Sequence, residues 1–186
     1  MKIVCPICAG KGTVENNNCN YCKGRNVVTI KDGYDITITR NNKSVELTNE
    51  SLIKKIRGSN LLPSDTNQPI MWHGITCSKG WYGIIYDAIN GLSKVKEDNP
   101  DCSISIAQVK EKFGQLRIYI DTEGCSKECR KKLYSVISEA ENKANRTCER
   151  CGSTENVETK GPGWVSTLCR KCRVLKEKDR EKFNES

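Results

Sequence analysis

The sequence has one histidine and no long apolar run, and each scarcity excludes a class of protein. His73 is the only histidine among 186 residues, so a metallohydrolase site built from several histidines is excluded. No stretch approaches the roughly 20 apolar residues that a membrane-spanning helix requires. We therefore expect a cytoplasmic protein that has no secretory or membrane segment and no membrane partner.

Apolar residues in general are few. Hydrophobic residues make up 36% of the chain, and the mean hydropathy is −0.62. Apolar burial alone would give a small core, to which bound metal would add free energy of folding.

Cysteine, in contrast, is abundant. Eight of the 12 cysteines form four C-x-x-C pairs, two near each end of the chain. Two such pairs supply the four thiolates of a tetrahedral structural zinc site, which has no open position for substrate. The sequence therefore predicts two structural zinc ions, bound by Cys5, Cys8, Cys19 and Cys22 and by Cys148, Cys151, Cys169 and Cys172. A disulfide framework is the alternative, which a reducing compartment disfavours.

Glycines follow the N-terminal pairs in Cys5-Pro-Ile-Cys8-Ala-Gly10-Lys-Gly12 and in Cys19-Asn-Tyr-Cys22-Lys-Gly24-Arg-Asn26. The pattern resembles the cysteine-rich zinc module of DnaJ-type chaperones, whose repeats read C-x-x-C-x-G-x-G, with asparagine in place of the last glycine. The resemblance implies one zinc ion in a small module that contacts protein or RNA. The alternative is a zinc that only stabilises a short terminal domain.

The C-terminal pairs are separated by seventeen residues, a spacing typical of a zinc ribbon. Basic residues and one tryptophan surround them and are candidates for contact with nucleic acid or a protein partner: Arg146, Arg150, Lys160, Trp164, Arg170, Lys171 and Arg173. The alternatives are a solvated basic surface, and a tryptophan that fills the core of the ribbon.

A second resemblance covers residues 80–172. It is carried by Gly80-Trp81-Tyr82, by residues 108–114, 116–119 and 147–152, and by residues 163–169. These motifs resemble an uncharacterised zinc-ribbon protein family of phages and bacteria. The resemblance implies an architecture of helix, hairpin, helix and ribbon, and a phage-encoded protein that acts in the host cytoplasm.

Residue patterns predict a small zinc-stabilised α+β protein. A β-hairpin is expected over 27–39, a short helix over 51–57, a helix over 81–92, a hairpin over 103–121 and a helix over 126–145. The predicted domains are 1–58, the DnaJ-like module with hairpin and short helix; 59–69, a linker; 70–173, an α+β core with the zinc ribbon; and 174–186, a charged tail that is a frayed helix or disordered.

Four cysteines remain outside the C-x-x-C pairs. Among them, Cys77, Cys125 and Cys129 together with His73 form two segments of i, i+4 spacing and are a candidate third zinc site. The alternative is that all four, including Cys102, are simply buried thiols.

The formal charge of +8 favours polyanionic partners. Eight ligand thiolates, half offset by two divalent cations, reduce it to about +4. Basicity therefore permits binding of nucleic acid without requiring it.

The sequence predicts a non-catalytic zinc-binding protein that binds a host or phage complex handling nucleic acid, with protein or nucleic acid as partner and no small-molecule substrate. One alternative is a protein-directed inhibitor of a bacterial defence or transcription enzyme. Another is a metal-dependent nuclease that uses Gln108, Lys110 and Asp98 or Asp101. The alternative to a nuclease site is that the charged residues 110–112 lie on the edge of a hairpin, where they discourage the addition of another strand.

Overall fold

The structure is a computed structural model in which residues 47–62 and 75–180 are described with their side chains. Helical and strand segments within 2–46 and at 181–184 are described by their backbone alone. Cys5, Cys8, Cys19, Cys22 and His73 lie outside the described residues, so the DnaJ-like module remains a prediction.

The described elements confirm a mixed α+β fold. The strands are β1 (Lys2–Val4), β2 (Thr13–Val14), β3 (Asn17–Asn18), β4 (Val27–Lys31), β5 (Asp35–Arg40), β6 (Lys43–Glu46), β7 (Ile75–Thr76), β8 (Ser103–Lys112), β9 (Gln115–Glu123), β10 (Val157–Lys160) and β11 (Ser166–Cys169). The helices are α1 (Asn49–Gly58), α2 (Tyr82–Glu97), α3 (Lys127–Ala144) and α4 (Arg170–Asn184), and a 3₁₀ turn, Lys79–Trp81, precedes α2. The sheets have the orders β1-β4-β5-β6, β2-β3, β7-β8-β9 and β10-β11.

The predicted N-terminal hairpin is present. Strands β4 and β5 pair antiparallel, with Lys31 opposite Asp35, and β6 continues the meander along β5. An Asp-Gly pair lies in the connection between β4 and β5, where the sequence placed the turn.

Helix α1 joins the same apolar core as the later elements. Its N-cap is Thr48, whose side chain accepts a hydrogen bond from the Ser51 amide, and Leu52 lies on its buried face. The Asn49 side chain accepts from and donates to the backbone of Ile75 at 3.2 and 2.8 Å. The core therefore includes residues on both sides of the predicted linker, and the division into domains remains a prediction.

The central core lies between α2, α3 and the β8-β9 hairpin. The predicted apolar face of α2 is buried, as are alternate residues of β9 and the inner face of α3. Fully buried side chains in this region include Trp81, Ile85, Ile89, Leu92, Ile104, Ile106, Leu116 and Leu133. Burial follows the helical and strand periodicities on which these elements were predicted.

A two-residue turn connects β8 and β9. Phe113 and Gly114 both have positive φ, at 54° and 75°, as a type I′ turn requires. The turn sets the register, in which Lys112 is opposite Gln115, and one irregularity near Ala107 shifts it by a residue. Strand β7 adds to the other side of β8 in parallel.

The ribbon follows α3. Strands β10 and β11 form its hairpin, and α4 begins directly after β11. Helix α4 extends to Asn184, so most of the predicted charged tail is helical. In the part of the chain described here, none of the helices is both long and apolar enough to cross a membrane.

Candidate metal centre and hairpin-ribbon surface

The four C-terminal cysteines converge on one point. The sulfur atoms of Cys148, Cys151, Cys169 and Cys172 all lie within 4.8 Å of one another, and Cys151 Sγ is 3.7 Å from Cys169 Sγ. Two come from the knuckle after α3, and two from the end of β11 and the first turn of α4. This cluster can hold a metal ion, with four sulfur donors and no position left for substrate.

Local backbone contacts shape the first knuckle. Gly152, with φ of 74°, donates to the Cys148 carbonyl at 2.8 Å, and Cys148 N–H donates to the Ser153 carbonyl at 2.8 Å. The Glu149 amide donates to the Thr167 carbonyl at 2.9 Å, which ties the knuckle to β11. A backbone hydrogen bond therefore connects the Cys148–Cys151 knuckle to the strand that carries Cys169.

The sulfur atoms perturb one another's protonation. Hydrogen bonds from the Cys151 thiol and from nearby backbone amides lower the pKa of Cys148 to about 5, although burial opposes this. Burial and the neighbouring Cys148 raise the pKa of Cys172 to about 12. Four thiolates are therefore stable together only if a cation offsets their repulsion, which is the charge pattern of a metal site.

The knuckle rests against the start of α2. The Trp81 indole N–H donates to the Thr147 carbonyl at 2.8 Å, and the Gly80 amide donates to the Glu149 carbonyl at 2.7 Å. A Cβ at Gly80 would lie 2.2 Å from the Cys148 carbonyl oxygen. The Gly80-Trp81 motif thus provides the close approach and the donor that attach the metal centre to the core.

Arg173 holds α4 against the ribbon hairpin. Its guanidinium donates to the carbonyls of Lys160 and Glu158 at 3.0 and 2.7 Å, and Lys176 donates to the Ser166 hydroxyl at 2.8 Å. The sequence predicts that Arg173 contacts a partner, whereas in the structure its guanidinium binds backbone carbonyls of the ribbon.

The remaining predicted contact residues differ in availability. Lys160 pairs with Glu158, and Arg150 pairs with Asp179 at 3.5 Å. Within the described residues, exposed side chains without an ion pair or hydrogen bond are found at three of the predicted positions: Arg146, Arg170 and Lys171.

The β8-β9 turn packs on the ribbon. A Cβ at Gly114 would lie 2.8 Å from Thr159 and 3.1 Å from Val165, and the Thr167 hydroxyl donates to the Gly114 carbonyl. Phe113, beside Gly114, is 74% exposed, and Trp164, beside Val165, is 73% exposed. The contact therefore brings two exposed aromatic residues onto neighbouring turns.

Trp164 is thus not the core residue of the ribbon, one of the two roles considered from sequence. The Gly161-to-Trp164 loop is tight, because a Cβ at Gly161 would lie 2.3 Å from the Trp164 carbonyl oxygen. This loop holds the Trp164 backbone against the hairpin while the indole stays outside.

Basic residues accompany the exposed rings. Lys112 Nζ lies 5.6 Å from the centre of the Phe113 ring, and Lys110 Nζ lies 5.3 Å from the centre of the half-exposed Tyr119 ring. We call these five residues, Lys110, Lys112, Phe113, Tyr119 and Trp164, the hairpin-ribbon surface. Phe113 and Tyr119 were not among the candidate contact residues predicted from the sequence. Phenylalanine is unusual at a hairpin turn, and this was the signal that could have identified Phe113.

Three further cysteines form a second cluster. The sulfur atoms of Cys102, Cys125 and Cys129 lie within 4.8 Å of one another, all three residues are buried, and Cys102 and Cys125 form a disulfide. The sequence grouped Cys77 and His73 with Cys125 and Cys129; among the described residues, the structure places Cys102 in this cluster and not Cys77, and His73 lies outside the described residues. This cluster, too, can hold a metal ion.

Cys77 lies elsewhere, near the knuckle. Burial, then Glu149 and Glu111, raise the pKa of its thiol to about 12. Burial likewise raises the pKa of Glu149 to about 7, and its buried Oε2 has no hydrogen-bond partner among the described residues. Cys77 is therefore a protonated thiol at neutral pH.

The residues considered for a nuclease are far apart. Asp98 and Asp101 precede the start of β8, whereas Lys110 lies near its other end, roughly 20 Å further along the strand. These side chains do not converge on one magnesium ion.

Comparison of the chain with protein-family models, with curated proteins and with solved structures gave no match. The resemblances to DnaJ-type modules and to the phage and bacterial family therefore remain predictions.

Proposed function

We propose that this is a non-catalytic zinc-binding protein that acts in a phage or host complex handling nucleic acid and binds single-stranded nucleic acid through the hairpin-ribbon surface. Zinc is the proposed ion because four thiolates in a closed tetrahedral set suit it. The core of α2, the β8-β9 hairpin and α3 serves as a scaffold, and the ribbon presents Trp164 beside the hairpin turn.

The observation that carries the proposal is Phe113. An exposed phenylalanine at positive φ is unfavourable twice, because the bulky side chain is strained there and its ring gains nothing from burial. Asparagine would suit a type I′ turn better. Side chains that cost stability in this way are found at functional sites, which supports a ligand for the ring.

The chemistry of the surface favours nucleic acid. Bases stack on exposed aromatic rings regardless of sequence, and lysines beside the rings contact the backbone phosphates. Phe113 and Trp164 offer two rings on adjoining turns, and Lys110 and Lys112 offer the charges.

We expect Phe113→Ala and Trp164→Ala each to weaken binding of a single-stranded oligonucleotide about fivefold or more, because each stacked base contributes about 1–3 kcal/mol. The measurement is fluorescence anisotropy with labelled single-stranded DNA and RNA of mixed sequence. Tyr134→Ala is the matched control, since Tyr134 is an exposed aromatic residue on α3 outside the surface. Equal affinity for all four proteins would refute the proposal.

Salt distinguishes nucleic acid from a protein partner. Each lysine that contacts a phosphate adds about −0.7 to the slope of log affinity against log salt for single strands, so Lys112→Gln is expected to make the slope shallower by about that amount. If the wild type binds no oligonucleotide and its aromatic variants instead lose a captured protein, the alternative of a protein-directed inhibitor gains and the present proposal fails.

Phe113→Asn should separate stability from binding. We expect it to raise the free energy of unfolding by about 1 kcal/mol, because asparagine tolerates the left-handed region, while oligonucleotide affinity falls as in Phe113→Ala. Urea denaturation and the same anisotropy assay provide the two measurements. A variant that is less stable than wild type would show that the ring has a structural role.

A further inference from the structure

The second cysteine cluster is independent of the hairpin-ribbon surface. Cys102 lies between α2 and β8, Cys125 follows β9, and Cys129 is in the first turn of α3. Gly124, with φ of 70°, lets β9 turn beside the Asp101 carbonyl, so that Cys125 meets Cys102. The Ser126 hydroxyl accepts from the Cys129 amide at 3.1 Å and orders the turn that carries the third sulfur. Three separate segments of the chain thus bring their sulfur atoms to one buried point.

A disulfide accounts for only two of these sulfur atoms. Cys129 is buried, and its Sγ lies 3.6 Å from Cys102 Sγ, directed at the pair. Three convergent buried sulfur atoms are a donor set for a soft cation, whereas magnesium and calcium require oxygen.

We propose that the reduced cluster binds one thiophilic divalent cation of the zinc class through Cys102, Cys125 and Cys129, and that oxidation to the Cys102–Cys125 disulfide releases it. Among the described residues, no fourth histidine, cysteine or carboxylate joins the group. In the proposed site, water or a backbone carbonyl completes the coordination. The Ser103 carbonyl oxygen, 3.7 Å from Cys125 Sγ, is the nearest such candidate on β8.

The two states exclude each other, because the disulfide consumes two of the three ligands. With hydrogen peroxide as oxidant, the Cys102 and Cys125 thiolates lose two electrons and form the S–S bond. Peroxide takes up those electrons and two protons and becomes two waters. The Cys129 thiolate takes one further proton, and the cation leaves. Reduction by a dithiol reverses the change and restores the site.

The first test is metal content of the full-length chain, purified with reductant and equilibrated with Zn²⁺. We expect Cys102→Ser and Cys129→Ser each to bind one zinc ion fewer per chain than wild type, and Cys77→Ser to bind as much as wild type. Ions held elsewhere cancel in these differences. Unchanged zinc content in folded Cys102→Ser and Cys129→Ser would overturn the proposal.

The second test needs no variant and remains valid if those proteins do not fold. Thiol alkylation of zinc-loaded wild type, followed by peptide mapping, is expected to modify Cys129 and Cys102 faster once a chelator is added. After peroxide, the Cys102–Cys125 cross-link should appear as one zinc ion is released. Protection that responds to reductant but never to chelator would show a structural disulfide instead and refute the metal site.

Discussion

Replacing Cys148 by serine is expected to release one metal ion per chain and to unfold the ribbon, from the knuckle to the start of α4. The ribbon has almost no apolar core of its own. Within its described residues, Leu168 is the one fully buried apolar side chain that is not a candidate ligand, with Val157 packed partly against it. In the proposed zinc-bound form, the sulfur atoms and the ion take the place of a core.

The expected loss is large. A structural zinc site contributes about 10–16 kcal/mol in zinc-finger peptides. Whole domains have free energies of unfolding of only about 5–15 kcal/mol. A ribbon that loses one of four ligands, and leaves three thiols around a weakened site, therefore has too little apolar burial to stay folded.

Limited proteolysis and zinc analysis measure this outcome. Cleavage after the exposed Lys160, at the end of β10, should accelerate strongly in Cys148→Ser, and wild type treated with a chelator should behave in the same way. Cys77→Ser is the control, since it removes a partly buried cysteine outside both clusters. Slow cleavage of Cys148→Ser would mean that the ribbon folds without its metal.

Loss of the ribbon should also abolish oligonucleotide binding. The turn that carries Phe113 packs on Thr159 and Val165, and Trp164 belongs to the ribbon itself. An assay of Cys148→Ser with single-stranded oligonucleotides therefore links the metal centre to the proposed function. Retained binding would place the nucleic-acid contact on another part of the chain.

Periodicity predicted the core well because each element shows one clear pattern. Apolar residues recur at helical spacing from Trp81 to Leu92, and every second residue from Leu116 to Ile120 is apolar. The buried faces of α2 and β9 could therefore be predicted from the sequence. The C-x-x-C spacing likewise predicts that the four C-terminal cysteines converge. Local rules suffice where the interaction is local or periodic.

The second cluster required the register of the hairpin. The turn at Phe113-Gly114 and the irregularity near Ala107 together pair Ser103 with Glu123, and continuation of that pairing places Cys102 opposite Gly124, the neighbour of Cys125. The sequence predicted the turn but ended the strands too early to apply it, and i, i+4 spacing alone grouped Cys77 with Cys129 instead. Exposure of Phe113 and Trp164 depends on the packing of the hairpin against the ribbon, which no local pattern contains.

Gly80→Ala should lower the free energy of unfolding of the protein substantially, although Gly80 is not a candidate metal ligand. The new Cβ would lie 2.2 Å from the Cys148 carbonyl oxygen and 2.5 Å from that of Glu149, and backbone atoms cannot move aside as a flexible side chain would. The knuckle must shift, at a cost of about 1–3 kcal/mol for overpacking. The shift also strains the hydrogen bonds from Gly80 and Trp81, each with a net contribution of about 1 kcal/mol.

The total, about 3 kcal/mol, corresponds to a drop in Tm of roughly 6–12 °C for a chain of this length. Differential scanning calorimetry measures it, and zinc competition measures the expected loss of metal affinity at the displaced knuckle. Gly58→Ala is the matched control: Gly58 ends α1 with nothing within 4 Å of a new Cβ, so it should be neutral or slightly stabilising. If Gly80→Ala has the same Tm and zinc affinity as wild type, the contact of Gly80 with the knuckle does not couple the metal centre to the core.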